Sequence, residues 1–115
     1  MGTPTAYTLR MRFLETPIFT RTILTLLDDE AYRLLQLALL QRPERGAMIQ
    51  RSGGLRKMRW PLPGQGKRGG LRLIYFWDKA SETFYMLLAY PKNEQEDLTA
   101  QQLRVLRRLI RKEFG

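Results

Sequence analysis

The amino-acid sequence predicts a small α+β domain with the element order β-α-α-β-β-β-α. Three observations support this fold class: one alternating apolar segment, two regions of helical apolar spacing, and three short apolar runs bounded by turn residues. A chain of 115 residues ordinarily forms one domain with a modest core, so we expect a single domain over residues 1–115. We expect an antiparallel-rich sheet with the helices packed on one face and the other face partly open.

The N-terminal half is predicted to form one strand and a helical hairpin. Apolar and basic residues alternate over 9–14, as in a half-buried strand. The Thr16-Pro17 pair is typical of a helix start, because a hydroxyl can cap the helix and proline is tolerated in its first turn. We expect this helix to run through Leu27, and Asp28 to cap a second helix that ends before Pro43.

The C-terminal half is predicted to contain three strands and a final helix. The strands cover Leu55–Trp60, 71–77 and 83–90, and the short turn between the last two makes them a hairpin. The segment 71–77 is apolar on both faces, which is typical of a central strand. Thr99 and Gln102 have the spacing of a capping box, so the last helix is expected to begin there.

Positive charge is concentrated in two parts of the chain. The chain contains 20 Lys and Arg against 11 Asp and Glu, a formal net charge of +9. Eight of the basic residues, and no acidic residue, lie between Arg45 and Arg72. Because unrelieved like charge destabilises a fold, we expect a polyanionic partner for this segment. A second basic cluster lies on the final helix: Arg104, Arg107, Arg108, Arg111 and Lys112.

The composition excludes several classes of site. The chain has no cysteine, which excludes disulfide scaffolds and thiolate zinc sites and fits a reducing cytoplasm, where we expect the protein to reside. It has no histidine, so any catalysis must use Lys, Arg, Tyr, carboxylates or bound water. The G-x-G-x-x-G letters at 64–69 lead into a strand and not a helix, so they do not predict a dinucleotide site. We expect no metal, cofactor or membrane association.

Three basic stretches remain as candidates for chemistry, and Arg72 is central to them. They read LRKMR at 55–59, GKRGGLRLIY at 66–75 and YPKNE at 90–94. Arg72 shares a strand face with Ile74 and Phe76, an unusual place for a cation. Cations from neighbouring strands, together with Lys92 at a strand end, can converge there and stabilise the charge of a phosphoryl transition state.

These stretches resemble the RelE/HigB toxin family of bacterial type II toxin–antitoxin systems, most closely its HigB-type branch. The resemblance lies in GLRKMR at 54–59, GKRGGLRLIY at 66–75 and YPKNEQEDL at 90–98. It implies a RelE-like domain that acts as a ribosome-dependent mRNA endoribonuclease, cutting mRNA in the ribosomal A site and so inhibiting translation. The implied reaction is metal-independent attack of an RNA 2′-hydroxyl on its neighbouring phosphate. The implied partners are mRNA, the ribosome and its rRNA, a cognate antitoxin and, through the toxin–antitoxin complex, DNA.

The resemblance also implies the site residues. The family's strand arginine corresponds to Arg72, its loop cations to Lys67 and Arg68, and its strand-end cation to Lys92; these four are the predicted catalytic residues. The predicted RNA- and ribosome-binding residues are Arg56, Lys57, Arg59, Asn93, Arg104, Arg107, Arg108 and Arg111.

The sequence does not assign the roles of general acid and general base to particular residues. Asn93 and the Leu98-Thr99 pair stand where the best-studied members have an arginine and a tyrosine. Guanidinium groups suit the charge-stabilising role, since they are permanently charged and bidentate toward phosphate. Lys67 is a candidate base if the neighbouring cation lowers its pKa, and Lys92 is a candidate acid or phosphate clamp. Tyr75 and Tyr90 are alternative proton donors, or simply packed strand residues.

Two other functions fit the same residues. A non-catalytic module that binds rRNA or DNA would use the basic surface only for electrostatic attraction. An interaction protein would use it to dock an acidic peptide, although that role does not require the ordered glycines and cations of 66–72. The response of cleavage and of affinity to Arg72→Ala separates an enzyme from a binding module.

Overall fold

A computed structural model describes residues 11–62 and 70–114 of the chain. Its helices and strands form the order β-α-α-β-β-β-β-α. They are β1 (Arg12–Glu15), α1 (Pro17–Leu26), α2 (Asp29–Gln41), β2 (Ala47–Met48), β3 (Leu55–Trp60), β4 (Leu71–Asp78), β5 (Thr83–Pro91) and α3 (Ala100–Phe114). No helix in these two ranges has the length and hydropathy needed to cross a membrane.

The strands form one five-stranded sheet in the order β1-β5-β4-β3-β2. The β1 strand runs parallel to β5, and the other three pairings are antiparallel. This confirms the predicted α+β class and the antiparallel-rich sheet. It also places β4 in the middle of the sheet, as its apolar sequence on both faces indicated.

The predicted elements agree closely with the observed ones. The β3 strand has the predicted bounds, and β4 and β5 each extend one residue further. Of the predicted strand 9–14, residues 9 and 10 lie outside the described part, and β1 covers Arg12–Glu15. The β2 strand was not predicted, because its two residues are too few to leave a periodic pattern; it forms by pairing Ala47 and Met48 with β3.

All three predicted helix starts carry the expected caps. The Thr16 hydroxyl accepts from the Phe19 backbone N–H at 3.1 Å, and the Asp28 carboxylate accepts from that of Ala31 at 2.8 Å. At α3, the Thr99 hydroxyl accepts from the Gln102 N–H and the Gln102 side chain accepts from the Thr99 N–H, both at 3.0 Å. These reciprocal bonds satisfy donors that a helix end otherwise leaves unpaired.

The helices cover both faces of the sheet, which corrects the expectation that they pack on one face. Helices α1 and α2 pack against one face through an apolar cluster that includes Phe19, Leu35, Leu73 and Tyr75. Helix α3 packs against the other face, where Leu106 and Ile110 contact a cluster that includes Leu55, Ile74 and Leu87. Successive residues of a strand point to opposite faces, and β4 is apolar on both. Both faces of the sheet must therefore be covered.

Candidate functional site

The candidate site is centred on Arg72, the second residue of β4. Its side chain lies on the α3 face of the sheet and is only 6% exposed. The pairing register places Arg59 of β3 on one side of it and Tyr90 of β5 on the other. Cross-strand partners share a face, with their Cβ atoms about 5 Å apart. Two arginines and a tyrosine are therefore neighbours on one face of the sheet, at one end of its three central strands.

The Arg72 guanidinium has few partners in the protein. Its one hydrogen bond within the described residues is a long contact of 3.5 Å to the Leu71 carbonyl. Two ion pairs occur in the same ranges, and neither involves Arg72. Burying a cation is costly unless hydrogen bonds and nearby negative charge offset its desolvation, and the nearby negative charge here is the exposed Asp97 carboxylate, which pairs with Lys57 and not with Arg72. The position is suited to an anion that comes from outside the chain.

Lys57 and Asp97 border this centre. Lys57 lies on the same face of β3 as Arg59, two residues away, and its ammonium donates to the Asp97 carboxylate at 3.0 Å. Asp97 precedes α3 and also accepts from the Leu98 backbone N–H at 2.8 Å. The Lys57 hydrogen bond, and then that of Leu98, lower the pKa of Asp97, with a smaller contribution from the charge of Arg72. Asp97 is therefore an ionised carboxylate at the edge of a cationic site.

Tyr90 contributes a buried phenol to the same face. Its side chain is 5% exposed, and its hydroxyl has no hydrogen-bond partner among residues 11–62 and 70–114. Burial raises the pKa of Tyr90, the nearby Asp97 charge raises it further, and Arg72 partly opposes both. The group therefore stays protonated at neutral pH and can donate a hydrogen bond.

The predicted catalytic Lys92 follows β5 at the end nearest Arg72. Its backbone N–H donates to the Gly70 carbonyl at 2.9 Å, which ties this end of β5 to the start of β4. Gly70 has a φ of 105°, and a Cβ there would lie 2.9 Å from the Trp60 carbonyl oxygen, so only glycine suits the position. Asn93 lies next to Lys92 and is exposed. The predicted catalytic residues Lys67 and Arg68 lie outside the described residues.

Arg56 lies on the opposite face and contacts the segment before β2. Its guanidinium donates to the carbonyls of Gly46 at 2.8 Å and Glu44 at 3.2 Å, and it pairs with the Glu44 carboxylate at 3.4 Å. Tyr75, its cross-strand partner, accepts from the Gly46 N–H at 2.9 Å and donates to the Pro43 carbonyl at 2.8 Å. Arg56 and Tyr75 therefore hold this segment on the α1/α2 face of the sheet, opposite to the face of Arg72.

The basic residues of α3 form a second surface. Arg104, Arg108 and Arg111 are exposed, and Arg107 donates to the Arg51 carbonyl at 3.1 Å. Arg107 and Arg111 line a cleft with Phe76, which is four residues from Arg72 and so about 13 Å along β4. Arg107 and Arg111 therefore line a surface beside the Arg72 site and do not converge on it.

Three residues of this centre were not among the predicted catalytic residues. Arg59 was predicted to bind RNA, and it lies directly opposite the buried Arg72. Asp97 was not a predicted site residue, and Tyr90 was an open alternative. The alternation of β3 carried a signal for Arg59, since Met58 lies in the core and its neighbours must face the other way. Asp97 left no such signal, because its partner Lys57 is 40 residues away in sequence.

Comparisons with known proteins agree with this architecture. The model of the family described as "RelE toxin of RelE / RelB toxin-antitoxin system" matches residues 11–114. The fold is also similar to that of E. coli toxin RelE, solved in the free state as a mutant with two arginines replaced by alanine. That similarity has a TM-score of 0.54 at 13% sequence identity and covers 76% of this chain and 88% of the E. coli chain. The shared fold confirms the predicted RelE-like α+β architecture, and the family match over nearly all of the described residues shows that this chain belongs to the RelE toxin family.

Proposed function

We propose that this protein is a ribosome-dependent mRNA endoribonuclease, which inhibits translation by cutting mRNA in the ribosomal A site and is neutralised by a cognate antitoxin. The observation that carries the proposal is the buried guanidinium of Arg72, which forms no ion pair with the described residues and lies beside Arg59 and Lys57 on one face of the sheet. Membership of a toxin family of toxin–antitoxin systems supports the biological role. The HigB-type subgroup stays a prediction from the sequence motifs.

The proposed reaction is a metal-independent transesterification within the RNA. The 2′-hydroxyl attacks the adjacent phosphorus, the 5′-oxygen leaves, and the products are a 2′,3′-cyclic phosphate and a free 5′-hydroxyl. The reaction needs a base, an acid and stabilisation of the negative charge on the phosphoryl oxygens. Arg72 suits the last role, because a guanidinium donates two parallel hydrogen bonds to phosphate, and a site shielded from water strengthens their effect.

The remaining roles are proposals that combine sequence and position. Arg59 is suited to a second phosphate contact, since it lies opposite Arg72 and is exposed to incoming RNA. Lys92 is proposed as acid or phosphate clamp at the strand end. Lys67 as base and Arg68 as a further charge stabiliser rest on the sequence resemblance alone.

The ribosome is proposed to supply much of the rate. A site without histidine has few groups that transfer protons efficiently near neutral pH, so orientation of the RNA contributes a larger share of the acceleration. The exposed arginines of α3, together with Lys57 and Asn93, are proposed to hold rRNA and mRNA through their phosphates. Arg56 was assigned to the same role, but its bonds to Glu44 and Gly46 favour a structural one.

A translation reaction with mapping of mRNA 5′ ends tests the proposal, run with the wild type and Arg72→Ala. We expect the wild type to cut ribosome-bound mRNA and the variant to lose about 10²–10³-fold in rate while keeping most of its ribosome affinity. Arg33→Ala, which removes an exposed arginine of α2, is the charge-matched control and should cut normally. Equal cleavage by wild type and Arg72→Ala would contradict the proposed site.

A non-catalytic RNA-binding module is the second candidate, favoured by the exposed α3 arginines that lie apart from Arg72. Such a protein would produce no new mRNA 5′ ends. Arg72→Ala would then cause only a modest loss of affinity, and that loss would shrink as salt is added.

A further inference from the structure

Two buried tyrosines on the central strands differ in their hydrogen bonding. The Tyr75 hydroxyl, on the α1/α2 face, both donates and accepts through Pro43 and Gly46. The Tyr90 hydroxyl, on the α3 face, is equally enclosed but has no partner within the described ranges. A buried hydroxyl without a partner destabilises a fold, because its bonds to water are lost and not replaced. An apolar side chain at position 90 would avoid that cost, so the presence of the hydroxyl needs an explanation.

The Tyr90 hydroxyl lies beside the Arg72 guanidinium, and both have few or no partners within the described residues. Arg72 and Tyr90 are direct partners in the β4–β5 register, and both side chains lie on the same face. Apart from the long Arg72 contact to the Leu71 carbonyl, neither group finds an acceptor in the described part of the chain. Two neighbouring donors that both lack acceptors are complementary to one ligand rich in oxygen and negative charge, and a phosphate group has both properties.

We propose that Tyr90 is a neutral hydrogen-bond donor of the Arg72 site, in addition to its cations, and donates to a phosphoryl oxygen of the scissile phosphate. This inference rests on the proposed RNA cleavage and adds a residue to it. A neutral donor beside a guanidinium is effective here, because negative charge develops on the phosphoryl oxygens as the 2′-oxygen attacks. The raised pKa of Tyr90 keeps its proton in place at working pH, so it contributes by donating and not as a base.

Asp97 provides the route by which the phosphate reaches this donor. Its carboxylate binds Lys57, and its charge acts on both Tyr90 and Arg72. The Asp97 side chain is 66% exposed, so it can move into water at little cost. An incoming phosphate competes with this carboxylate for the same cations and, in this proposal, displaces it, which also removes a negative charge near the phenol.

Matched tyrosine-to-phenylalanine variants test the inference, because each removes a single hydroxyl. For Tyr90→Phe we expect a melting temperature equal to or above that of the wild type, and a cleavage rate on ribosome-bound mRNA lower by about 10²-fold. For Tyr75→Phe we expect the opposite: a lower melting temperature, with cleavage by the folded fraction close to that of the wild type. Wild-type cleavage by Tyr90→Phe, in an assay where Arg72→Ala is impaired, would overturn the inference.

A second measurement separates this inference from the proposed function. Inorganic phosphate is added to the full chain, and the rise in melting temperature is compared among wild type, Tyr75→Phe and Tyr90→Phe. We expect the first two to show the same rise and Tyr90→Phe a smaller one, because it has lost the phenol donor of the site. If the wild type cuts no mRNA, the proposed function fails, and this comparison alone decides the role of Tyr90. An equal rise in melting temperature with phosphate in all three proteins would then overturn the proposed role of Tyr90.

Discussion

The two faces of the central sheet differ in how their buried polar groups are hydrogen-bonded. On the α1/α2 face, Arg56 and Tyr75 are fully engaged with the segment around Gly46. On the α3 face, the described residues offer Arg72 one long contact and offer the Tyr90 hydroxyl none. Buried polar groups are nearly always paired, so exceptions that cluster indicate a cost retained for function. One face uses its polar groups to stabilise the fold, and we propose that the other binds a phosphate.

The largest expected effect comes from replacing one arginine on each face by methionine, which keeps the apolar stem and removes the charge. Arg72→Met should raise the free energy of unfolding by about 1–4 kcal/mol, because it removes a buried charge that has no carboxylate partner in the described structure. It should also abolish cleavage. Arg56→Met should lower the free energy of unfolding by about 1–3 kcal/mol, because it leaves the Gly46 carbonyl without this donor.

Urea denaturation of the two variants, with circular dichroism as the signal, measures both changes against the wild type. Their opposite signs are the essential result. Destabilisation by both substitutions would show that the protein pairs Arg72 as fully as Arg56, and the contrast between the faces would be lost.

A smaller effect is expected from Asp97→Asn, which removes the carboxylate that competes with RNA for Lys57. We expect affinity for a short single-stranded RNA to rise several-fold. The slope of log Kd against log salt concentration should steepen by about one, as expected for one additional phosphate contact. Glu96→Gln is the control, since it makes the same charge change one residue away and has no ion pair in the described part of the chain. Titrations at three or more salt concentrations measure both quantities. Equal gains in RNA affinity for the two variants would mean that Asp97 acts only through the net charge of the protein.

The smallest effect is the pH dependence of the Lys57–Asp97 pair. The pKa of Asp97 lies below its ordinary value of 3.8 in the folded protein, so its contribution to stability is present above that value. The contribution is lost as the pH falls from about 4 through the lower folded pKa, where the carboxylate becomes protonated. Urea denaturation at several pH values should therefore show a steeper acid loss for the wild type than for Asp97→Asn. Parallel curves for the two proteins would mean that the pair contributes nothing to stability.

Much of the fold was predictable because its signals are local. Each helix start depends on a side chain and a backbone N–H three residues apart, and all three predicted caps are present. Short apolar runs bounded by turn residues likewise predicted β3, β4 and β5 nearly to the residue. The two-residue β2 was missed because it owes its existence to pairing with β3 and not to its own sequence.

The placement of α3 was not predictable in the same way. Its apolar stripe predicts that one side of the helix is buried but says nothing about which sheet face receives it. The exposed face expected of the sheet is instead covered by Leu106 and Ile110. This packing also brings Asp97, at the start of the helix, against Lys57.

The sequence by itself determined the class of the fold, the concentration of positive charge, the absence of histidine chemistry and the presence of an arginine on the central strand. Only the tertiary structure decided that Arg59, Arg72 and Tyr90 are neighbours, since strand register is set by pairing between distant segments. It also decided that Arg56 and Tyr75 serve the opposite face. Residue type limits the chemistry available to a chain, whereas packing determines which polar groups lack partners in the described part of the chain, as Arg72 and Tyr90 do on the proposed phosphate-binding face.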